Sequence, residues 1–266
     1  MADTQLTVAA TSSRSAFKAA SELYARVFGY TSPDHSLNPK LLSAIVANGG
    51  TAVAASTATG DLVGFAYGFV GFDGRPYLYS QATFIDPDYQ GLGVGRLLKQ
   101  EQARIAAATG LASMRWAFDP ILSRNAHFNL DVLGARGVRF APRYYDEAFS
   151  DRLIVDWELG GLSDAAGSGG AGVGARVASA SDPDAGPALS PEVWGRALPD
   201  EAGDVVRVPI PAANPESILD PVTVEALRFT VAETFADLFA RGYIARSCIK
   251  VDDTTATYIF VPGASS

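Results

Sequence analysis

The sequence predicts an α+β fold in which a mixed, mostly antiparallel sheet carries helices on both faces. Before Asp86, three apolar runs follow one another across the short turns Thr59-Gly60-Asp61 and Asp73-Gly74, which are typical of antiparallel hairpins. Beyond Asp86, helix and strand patterns alternate up to Phe140, as they do in sheets with helical crossovers. The last 60 residues or so add a strand, a long helix pattern and a hairpin pattern, which predict a C-terminal α/β extension.

The first predicted helix has a capping residue and apolar positions at helical spacing. Ser13 is a suitable N-cap, and Phe17, Ala20 and Leu23 recur at helical spacing up to Phe28. In the same way Pro39 can open a helix that Gly49 stops. The other predicted elements are strands Leu6–Ala10, Thr51–Ser56, Leu62–Gly71 and Tyr77–Ile85, helices Lys40–Asn48 and Arg96 to near Gly110, strand Ser113–Phe118, helix Asn125–Leu133 capped by Ser123, strands Val138–Phe140, Arg152–Leu159 and Val205–Pro209, helix Pro221–Arg241, and a hairpin of Tyr243–Val251 with Thr254–Val261.

The segment 160–180 interrupts this pattern. It contains seven glycines and no aromatic residue, so it cannot bury enough apolar surface to offset the entropy lost on ordering. We therefore expect a core at 1–159, a flexible Gly/Ala-rich linker or surface loop at 160–180, and the extension at 181–266, packing on the core.

Composition excludes several classes of function. The net charge is −8, and no cluster of Lys and Arg could serve as a nucleic-acid interface. No apolar run approaches the ~18 residues of a membrane span, and the first residues lack the pattern of a secretory signal. A single cysteine and two histidines favour a cytoplasmic protein without a disulfide framework or a metal site.

A glycine-rich loop at Gln90–Gly95, with the sequence QGLGVG, leads into the helix that begins at Arg96. Glycines at alternating positions leave backbone N–H groups uncovered, and the helix N-terminus adds partial positive charge. Such a loop is suited to a phosphate or pyrophosphate. A Walker loop is excluded because Arg96 and Leu97 follow Gly95 where Lys and Ser/Thr are needed. The glycine offsets also do not fit a dinucleotide fingerprint.

The pattern Gln90-x-x-Gly93-x-Gly95, four residues beyond Asp86, resembles the acyl-CoA pyrophosphate loop of the GNAT superfamily of N-acetyltransferases. Further along, Phe118–Leu130, the pair Tyr144-Tyr145 and a strand with Trp157 resemble an uncharacterised branch of predicted GNAT acetyltransferases. The resemblance covers nearly the whole chain apart from the glycine-rich insert, and it implies a GNAT-like core with acetyl-CoA or another acyl-CoA as co-substrate.

The resemblance also implies roles for particular residues. Main-chain groups of Phe84 and Ile85 would contact the pantetheine arm, and the Ile85 N–H would stabilise the oxyanion formed when an amine attacks the thioester. Asn125 would contact the cofactor. Asn129 would also contact the cofactor, orient the substrate or satisfy buried backbone groups. The implied cofactor-binding residues are Phe84, Ile85, Gln90, Gly91, Leu92, Gly93, Val94, Gly95, Arg96, Asn125 and Asn129.

The general acid is left open by the sequence. Many GNAT enzymes carry a Tyr six residues after the Asn, but Asp131 occupies that position here. Either burial enables Asp131 to donate a proton, or Tyr144 or Tyr145 donates it, or no specific acid is used. We expect His127 to be a surface or packing residue. Arg124 could pair with a CoA phosphate or with Asp119.

The expected function is therefore acyl-CoA-dependent transfer of an acetyl or similar group to an amine by direct attack in a ternary complex, because no cysteine lies near the motif. The alternative is a non-catalytic acyl-CoA sensor, motivated by the missing Tyr at Asp131. The amine could be a small molecule or a peptide. The extension could cover the acceptor site, support a homodimer or complete the sheet.

Overall fold

The computed structural model describes residues 6–32, 35–160, 190–201 and 204–263. These residues divide into two compact units. The first contains the described residues up to Trp116 together with 158–160, and the second contains Ala117–Trp157 and the described residues from Ser190 onward. Apart from Gly160, the predicted linker 160–180 lies outside the described residues, so the predicted domain boundaries at 159 and 180 stay a prediction.

The first unit is a five-stranded sheet with helices on both faces. Its strands lie in the order β1-β2-β3-β4-β5, and every pair is antiparallel except β4 with β5, which is parallel. The elements are β1 Leu6–Ala10, α1 Arg14–Phe28, α2 Pro39–Ala47, β2 Thr51–Thr57, β3 Leu62–Asp73, β4 Arg75–Ile85, a 3₁₀ turn Pro87–Tyr89, α3 Val94–Ala108 and β5 Ser113–Phe118, whose last two residues belong to the second unit.

Two apolar clusters hold the helices of this unit on opposite faces of the sheet. On one face, Phe17 and Leu23 of α1 pack with Phe65 and Phe84. On the other face, side chains of α3 pack with side chains of β2 and β3; the cluster comprises Val94 and Leu98 of α3 with Val53, Ala55, Val63 and Ala66. The predicted α+β class, with a mostly antiparallel sheet and helices on both faces, is confirmed.

A bulge in β4 sets the geometry of its second half. The register between β3 and β4 shifts where Gly68 lies opposite Ser80, so Gln81 is the extra residue. A Cβ atom at Gly68 would lie 2.5 Å from the Tyr79 carbonyl oxygen, which leaves no room for a side chain. Beyond this point β4 also leaves β5, because the two strands pair only at Leu78–Met114 and Tyr79–Arg115.

The second unit contains an antiparallel sheet in the order β7-β6-β10-β11-β9-β8. Phe235 of α6 lies at the centre of its core, with its ring close to those of Phe140, Tyr258 and Phe260. The elements are α4 Ser123–His127, which continues as a π-helix at Phe128–Val132, then β6 Arg136–Ala141, β7 Arg152–Glu158, a 3₁₀ turn Pro191–Val193, β8 Leu198–Pro199, β9 Val206–Pro211, α5 Pro215–Ile218, α6 Pro221–Ala240, β10 Tyr243–Lys250 and β11 Thr255–Pro262.

Three expectations about these elements were wrong in detail. Ser123 does not cap α4; it is the first helical residue, and its hydroxyl donates a hydrogen bond of 2.7 Å to the Ala212 carbonyl oxygen. The segment after His127 is π-helical rather than α-helical. Helix α3 begins at Val94, two residues before the predicted start, because the left-handed Gly93 already serves as its N-cap.

Within the described residues, none of the helices is long and apolar enough to cross a membrane.

We predict that Gly68→Ala destabilises the protein by at least about 1–3 kcal/mol, because the added methyl must displace the β4 backbone. Urea unfolding followed by circular dichroism measures this change. Gly160→Ala is the matched control, since a Cβ atom there meets no atom of the described residues within 4 Å, and we expect it to change the free energy of unfolding by no more than about 0.5 kcal/mol. Equal effects of the two substitutions would contradict the role of Gly68.

Candidate functional site

The turn after β4 is fixed at its start by Asp86. One carboxylate oxygen accepts a hydrogen bond from the Asp88 N–H, and the other lies 2.6 Å from Nη2 of Arg26 on α1. The hydrogen bond from Arg26 is the main reason that the pKa of Asp86 lies below its ordinary value. The turn that leads from β4 to α3 is therefore held against the first helix.

Two glycines shape the path into α3. Gly91 and Gly93 have φ angles of +78° and +80°, a left-handed conformation that side chains rarely adopt. No side chain caps α3 within the described residues, and its first turn contains no acidic residue. The first backbone hydrogen bond at this end joins the Leu97 N–H to the Gly93 carbonyl oxygen, so earlier N–H groups of the turn lack an intrahelical acceptor. This end of α3 is suited to an anion.

The outer edge of β4 offers further backbone donors. The Asp86 N–H donates to the carbonyl oxygen of Val63 in β3. Because backbone groups alternate in direction along a strand, those of Phe84 also point toward β3, whereas those of Thr83 and Ile85 point away from it. Gln90 reaches back to this edge, with Nε2 3.3 Å from the Ile85 carbonyl oxygen.

Thr83 is a residue that the sequence interpretation did not single out. Its side chain shares a face of β4 with Ile85, which packs against the cluster formed with α3. The Thr83 hydroxyl is buried and has no hydrogen-bond partner within the described residues. A signal for it was present in the sequence, since Thr83 lies two residues before Ile85 on the same strand.

A buried polar network lies between α3 and the sheet. Lys99 is 4% exposed, and its Nζ lies 2.8 Å from Oγ of Ser80 and 4.1 Å from the centre of the Trp116 ring. The Ser80 hydroxyl donates to Oε1 of Gln102 at 2.8 Å, and Nε2 of Gln102 donates to Oγ1 of Thr51 at 3.1 Å. Burial lowers the pKa of Lys99 to about 7. This lysine was not predicted as a functional residue.

In the second unit, Asp131 is engaged by three donors. One carboxylate oxygen accepts a short hydrogen bond from the Ser247 hydroxyl, and the other accepts the Cys248 N–H at 2.9 Å. That second oxygen also lies 3.2 Å from Nδ1 of His127. Since Nδ1 faces both this carboxylate and the Cys248 carbonyl oxygen at 3.0 Å, it must carry the hydrogen. The hydrogen bond with Asp131 is the main cause that raises the pKa of His127 above its ordinary value, although burial opposes it.

The other predicted residues of this unit differ in exposure. Asn125 is exposed, whereas Asn129 is 5% exposed. Tyr144 and Tyr145 lie in the turn between β6 and β7 with ring centres 4.9 Å apart. Asp119 pairs with Arg228 at 2.9 Å rather than with the exposed Arg124. In the part of the chain that the structure describes, no three His, Cys, Asp or Glu side chains group as metal ligands.

Comparison with known families identifies residues 17–128 as a match to the acetyltransferase (GNAT) family. The resemblance expected from the glycine loop is thereby confirmed for this part of the chain. A search of curated protein sequences gave no match.

Solved structures with a similar fold include three bacterial proteins. The ribosomal-protein-S18-alanine N-acetyltransferase of Escherichia coli is 17% identical, with 58% of this chain and 94% of that chain covered and a TM-score of 0.48. Salmonella typhimurium yncA, solved with acetyl-CoA, has 17% identity, the same coverage and a TM-score of 0.47. A GNAT-family acetyltransferase of Staphylococcus aureus has 12% identity, 58% and 99% coverage and a TM-score of 0.45. At these TM-scores the three structures do not carry a substrate over to this chain.

We predict that Lys99→Met raises the free energy of unfolding most below about pH 7 and progressively less from about pH 7 to about pH 10. The folded pKa of Lys99, about 7, lies below its ordinary value of 10.5, so the unfolded chain binds the extra proton between these values. The cost of burying the amine is thus fully present below about pH 7, where it is on the order of 3–5 kcal/mol, and it disappears above about pH 10. Urea unfolding at several pH values checks this, and a pH-independent difference would contradict it.

Proposed function

We propose, from the GNAT acetyltransferase domain at residues 17–128, that this chain transfers an acetyl or similar acyl group from acyl-CoA to an amine. The observation that carries the proposal is the N-terminus of α3, which lacks a side-chain cap among the described residues and is reached through two left-handed glycines directly after β4. We call the N–H groups of the turn and of the N-terminus of α3 the anion cradle, and the edge of β4 that faces away from β3, beyond Tyr79, its free edge. An extended nucleotide thioester needs a contact for its phosphates, which the cradle would supply, and a contact for its arm, which the free edge would supply.

The cradle would hold the pyrophosphate. The chain from Gly91 to Arg96 would contribute the backbone N–H groups of the turn and of the first helical positions. The Gln90 N–H already donates to the Pro87 carbonyl oxygen. A Cβ atom at Gly91 or Gly93 would meet no atom of the described residues within 4 Å, which leaves space beside both glycines for a ligand. Val94 would contribute only main-chain groups, since its side chain is buried in the apolar cluster. The side chain of Leu92 is exposed beside them.

The pantetheine arm would follow the free edge of β4. Ile85 keeps its expected role, because its N–H points away from β3. The backbone N–H and C=O groups of Thr83 also point away from β3, so Thr83 is the second residue that can pair with the arm. Those of Phe84 point toward β3. We therefore assign the main-chain contacts to Ile85 and Thr83. Removal of one hydrogen-bond donor to the oxyanion, the role expected for the Ile85 N–H, has lowered the rate of other enzymes by about 10²–10³.

The transfer would be direct. Acyl-CoA supplies an activated thioester, and an amine of a small molecule or a peptide would attack it within a ternary complex. Cys248, the one cysteine of the chain, is buried, and burial raises the pKa of its thiol well above the ordinary value. A thiol of this kind is a poor nucleophile, which supports direct attack rather than an acyl-enzyme.

The general acid stays open among the residues expected from the sequence. The contacts of Asp131 with Ser247, Cys248 and His127 favour a structural role for this carboxylate. The phenols of Tyr144 and Tyr145 stay candidates for the acid, because a phenol can donate a proton. Asn125 is exposed and can contact a ligand, whereas the buried Asn129 is better suited to satisfying backbone groups.

The broader organisation completes the proposal. We propose that residues 1–159 form the acyl-CoA-binding core and that 181–266 contribute to the acceptor site or to a homodimer. We also propose a cytoplasmic location without nucleic-acid, membrane or metal partners, which the composition favours.

A second candidate function is a non-catalytic acyl-CoA sensor. The observation that favours it concerns Asp131, which occupies the position where many GNAT enzymes carry the acid Tyr. Its carboxylate is engaged by β10 and by His127. Titration calorimetry with acetyl-CoA followed by a thiol-release assay across a panel of amines separates the two functions. Release of CoA with any amine supports the enzyme, and binding without release on every amine supports the sensor.

Loss of the cradle provides the test of the binding site itself. We predict that Gly93→Asp abolishes detectable acetyl-CoA binding in calorimetry, because its carboxylate would stand where the pyrophosphate is held. Gly60→Asp is the matched control, since Gly60 also has a positive φ, +91°, with open surroundings, but lies in the β2–β3 turn. Unchanged affinity of Gly93→Asp, or equal losses in both variants, would refute the assignment.

A further inference from the structure

Helix α6 is apolar on two opposite sides. On the side that packs in the second unit, the buried side chains are those of Val224, Leu227, Val231, Phe235 and Leu238. The opposite side carries Val222 and Phe229, which are 76% and 64% exposed. A helix that is hydrophobic on all sides is normally covered on all sides. The outer side of α6 is therefore a candidate interface.

The exposed apolar residues of α6 follow a heptad repeat. Val222, Phe229 and Ala236 are seven residues apart, and Ala226 and Ala240 lie at the spacing of the second apolar heptad position. At 3.6 residues per turn, these five exposed residues lie within about 80° of one another around the helix, along about 27 Å of its length. Single exposed apolar residues are normal on a protein surface, but an aligned stripe of this length is typical of a helix that pairs with another helix. We call these five residues the outer stripe.

The charges around the outer stripe are acidic. Glu233 lies within the stripe and Glu225 lies beside it; both are exposed, and neither forms an ion pair within the described residues. The one basic residue of α6 is Arg228, whose side chain is 10% exposed and pairs with Asp119 at 2.9 Å. The outer side of α6 therefore presents apolar side chains together with unpaired negative charge.

A second copy of α6 would not complement these charges. The outer side presents Glu225, Glu233 and Asp237, and the basic residue that follows the helix, Arg241, already pairs with Asp237 at 3.1 Å. Two copies packed along the stripe would bring carboxylates close to carboxylates, and like charges across an interface are unfavourable. A helix with Lys or Arg beside its own apolar stripe complements both the apolar and the acidic residues.

We propose that the outer stripe of α6 binds a basic amphipathic helix of a partner protein. The apolar side chains of that helix pack on Val222 and Phe229, and its Lys or Arg side chains lie beside Glu225 and Glu233. Phe229 is the anchor of the contact, because it is the largest residue of the stripe and lies near the middle of α6. The inference goes beyond the proposed function and does not depend on it, because α6 lies outside the region 17–128 that matches the GNAT family.

The test is fluorescence anisotropy of a labelled synthetic peptide titrated with the full chain. The peptide is as long as α6 and carries Leu at the two apolar heptad positions and Lys at the others; a matched peptide carries Glu in place of Lys. We expect the Lys peptide to bind and the Glu peptide not to bind. Phe229→Ser is expected to weaken binding of the Lys peptide by at least about 10-fold, whereas Phe72→Ser, at a residue 74% exposed in β3, is expected to leave it unchanged.

A charge exchange tests the acidic part of the surface. We expect the double variant Glu225→Lys, Glu233→Lys to bind the Glu peptide and to lose at least about 10-fold in affinity for the Lys peptide, because both attractive contacts become repulsive. Both positions are exposed, so the fold is expected to be kept, and circular dichroism checks this. Val222→Ser replaces Phe229→Ser as the apolar variant if the latter does not fold.

Three results would overturn the inference. The first is absence of binding by the Lys peptide, or equal affinities of Phe229→Ser and Phe72→Ser for it. The second is binding of the Lys peptide that the charge exchange leaves unchanged. The third is a dimer of the unmodified protein in sedimentation velocity that Phe229→Ser converts to a monomer, because a second copy would then cover the outer stripe.

Discussion

Strand β4 is paired with β3 along its whole length but with β5 at only two positions. A strand edge within a sheet must find other partners for its N–H and C=O groups, or leave them to solvent or a ligand. The bulge at Gln81, made possible by Gly68, marks the start of this free edge, and the glycine turn into α3 marks its end. The candidate site depends on this asymmetry.

The two ends of the free edge differ in electrostatic character. At the end near Gly93, backbone N–H groups of the turn and of α3 are available, and α3 has no side-chain cap among the described residues. At the other end, Lys99 brings an amine into the interior at a cost in free energy of unfolding. The end near Gly93 is suited to an anion although the net charge of the chain is −8. The site is therefore specified by local geometry rather than by overall charge.

The sequence predicted most elements of the fold to within a few residues, because hydrophobic period, glycine turns and caps such as Ser13 are local signals. The glycine spacing also predicted the turn into α3, whose Gly91 and Gly93 are left-handed, and the use of this turn to bind an anion stays a prediction. The engagement of Asp131 by Ser247 and Cys248 could not be predicted, because those contacts join residues more than 100 positions apart. Lys99 was missed for a related reason: in a helix pattern a lysine is read as exposed, and only packing against Trp116 shows otherwise.

A crystal structure of the protein with CoA tests the central claim most directly. The account predicts pyrophosphate oxygens within hydrogen-bond distance, about 2.7–3.2 Å, of backbone N–H groups between Gly91 and Arg96. It also predicts that the arm pairs with Ile85 and Thr83 along β4. Pyrophosphate bound away from the N-terminus of α3, or an arm that does not contact β4, would contradict it.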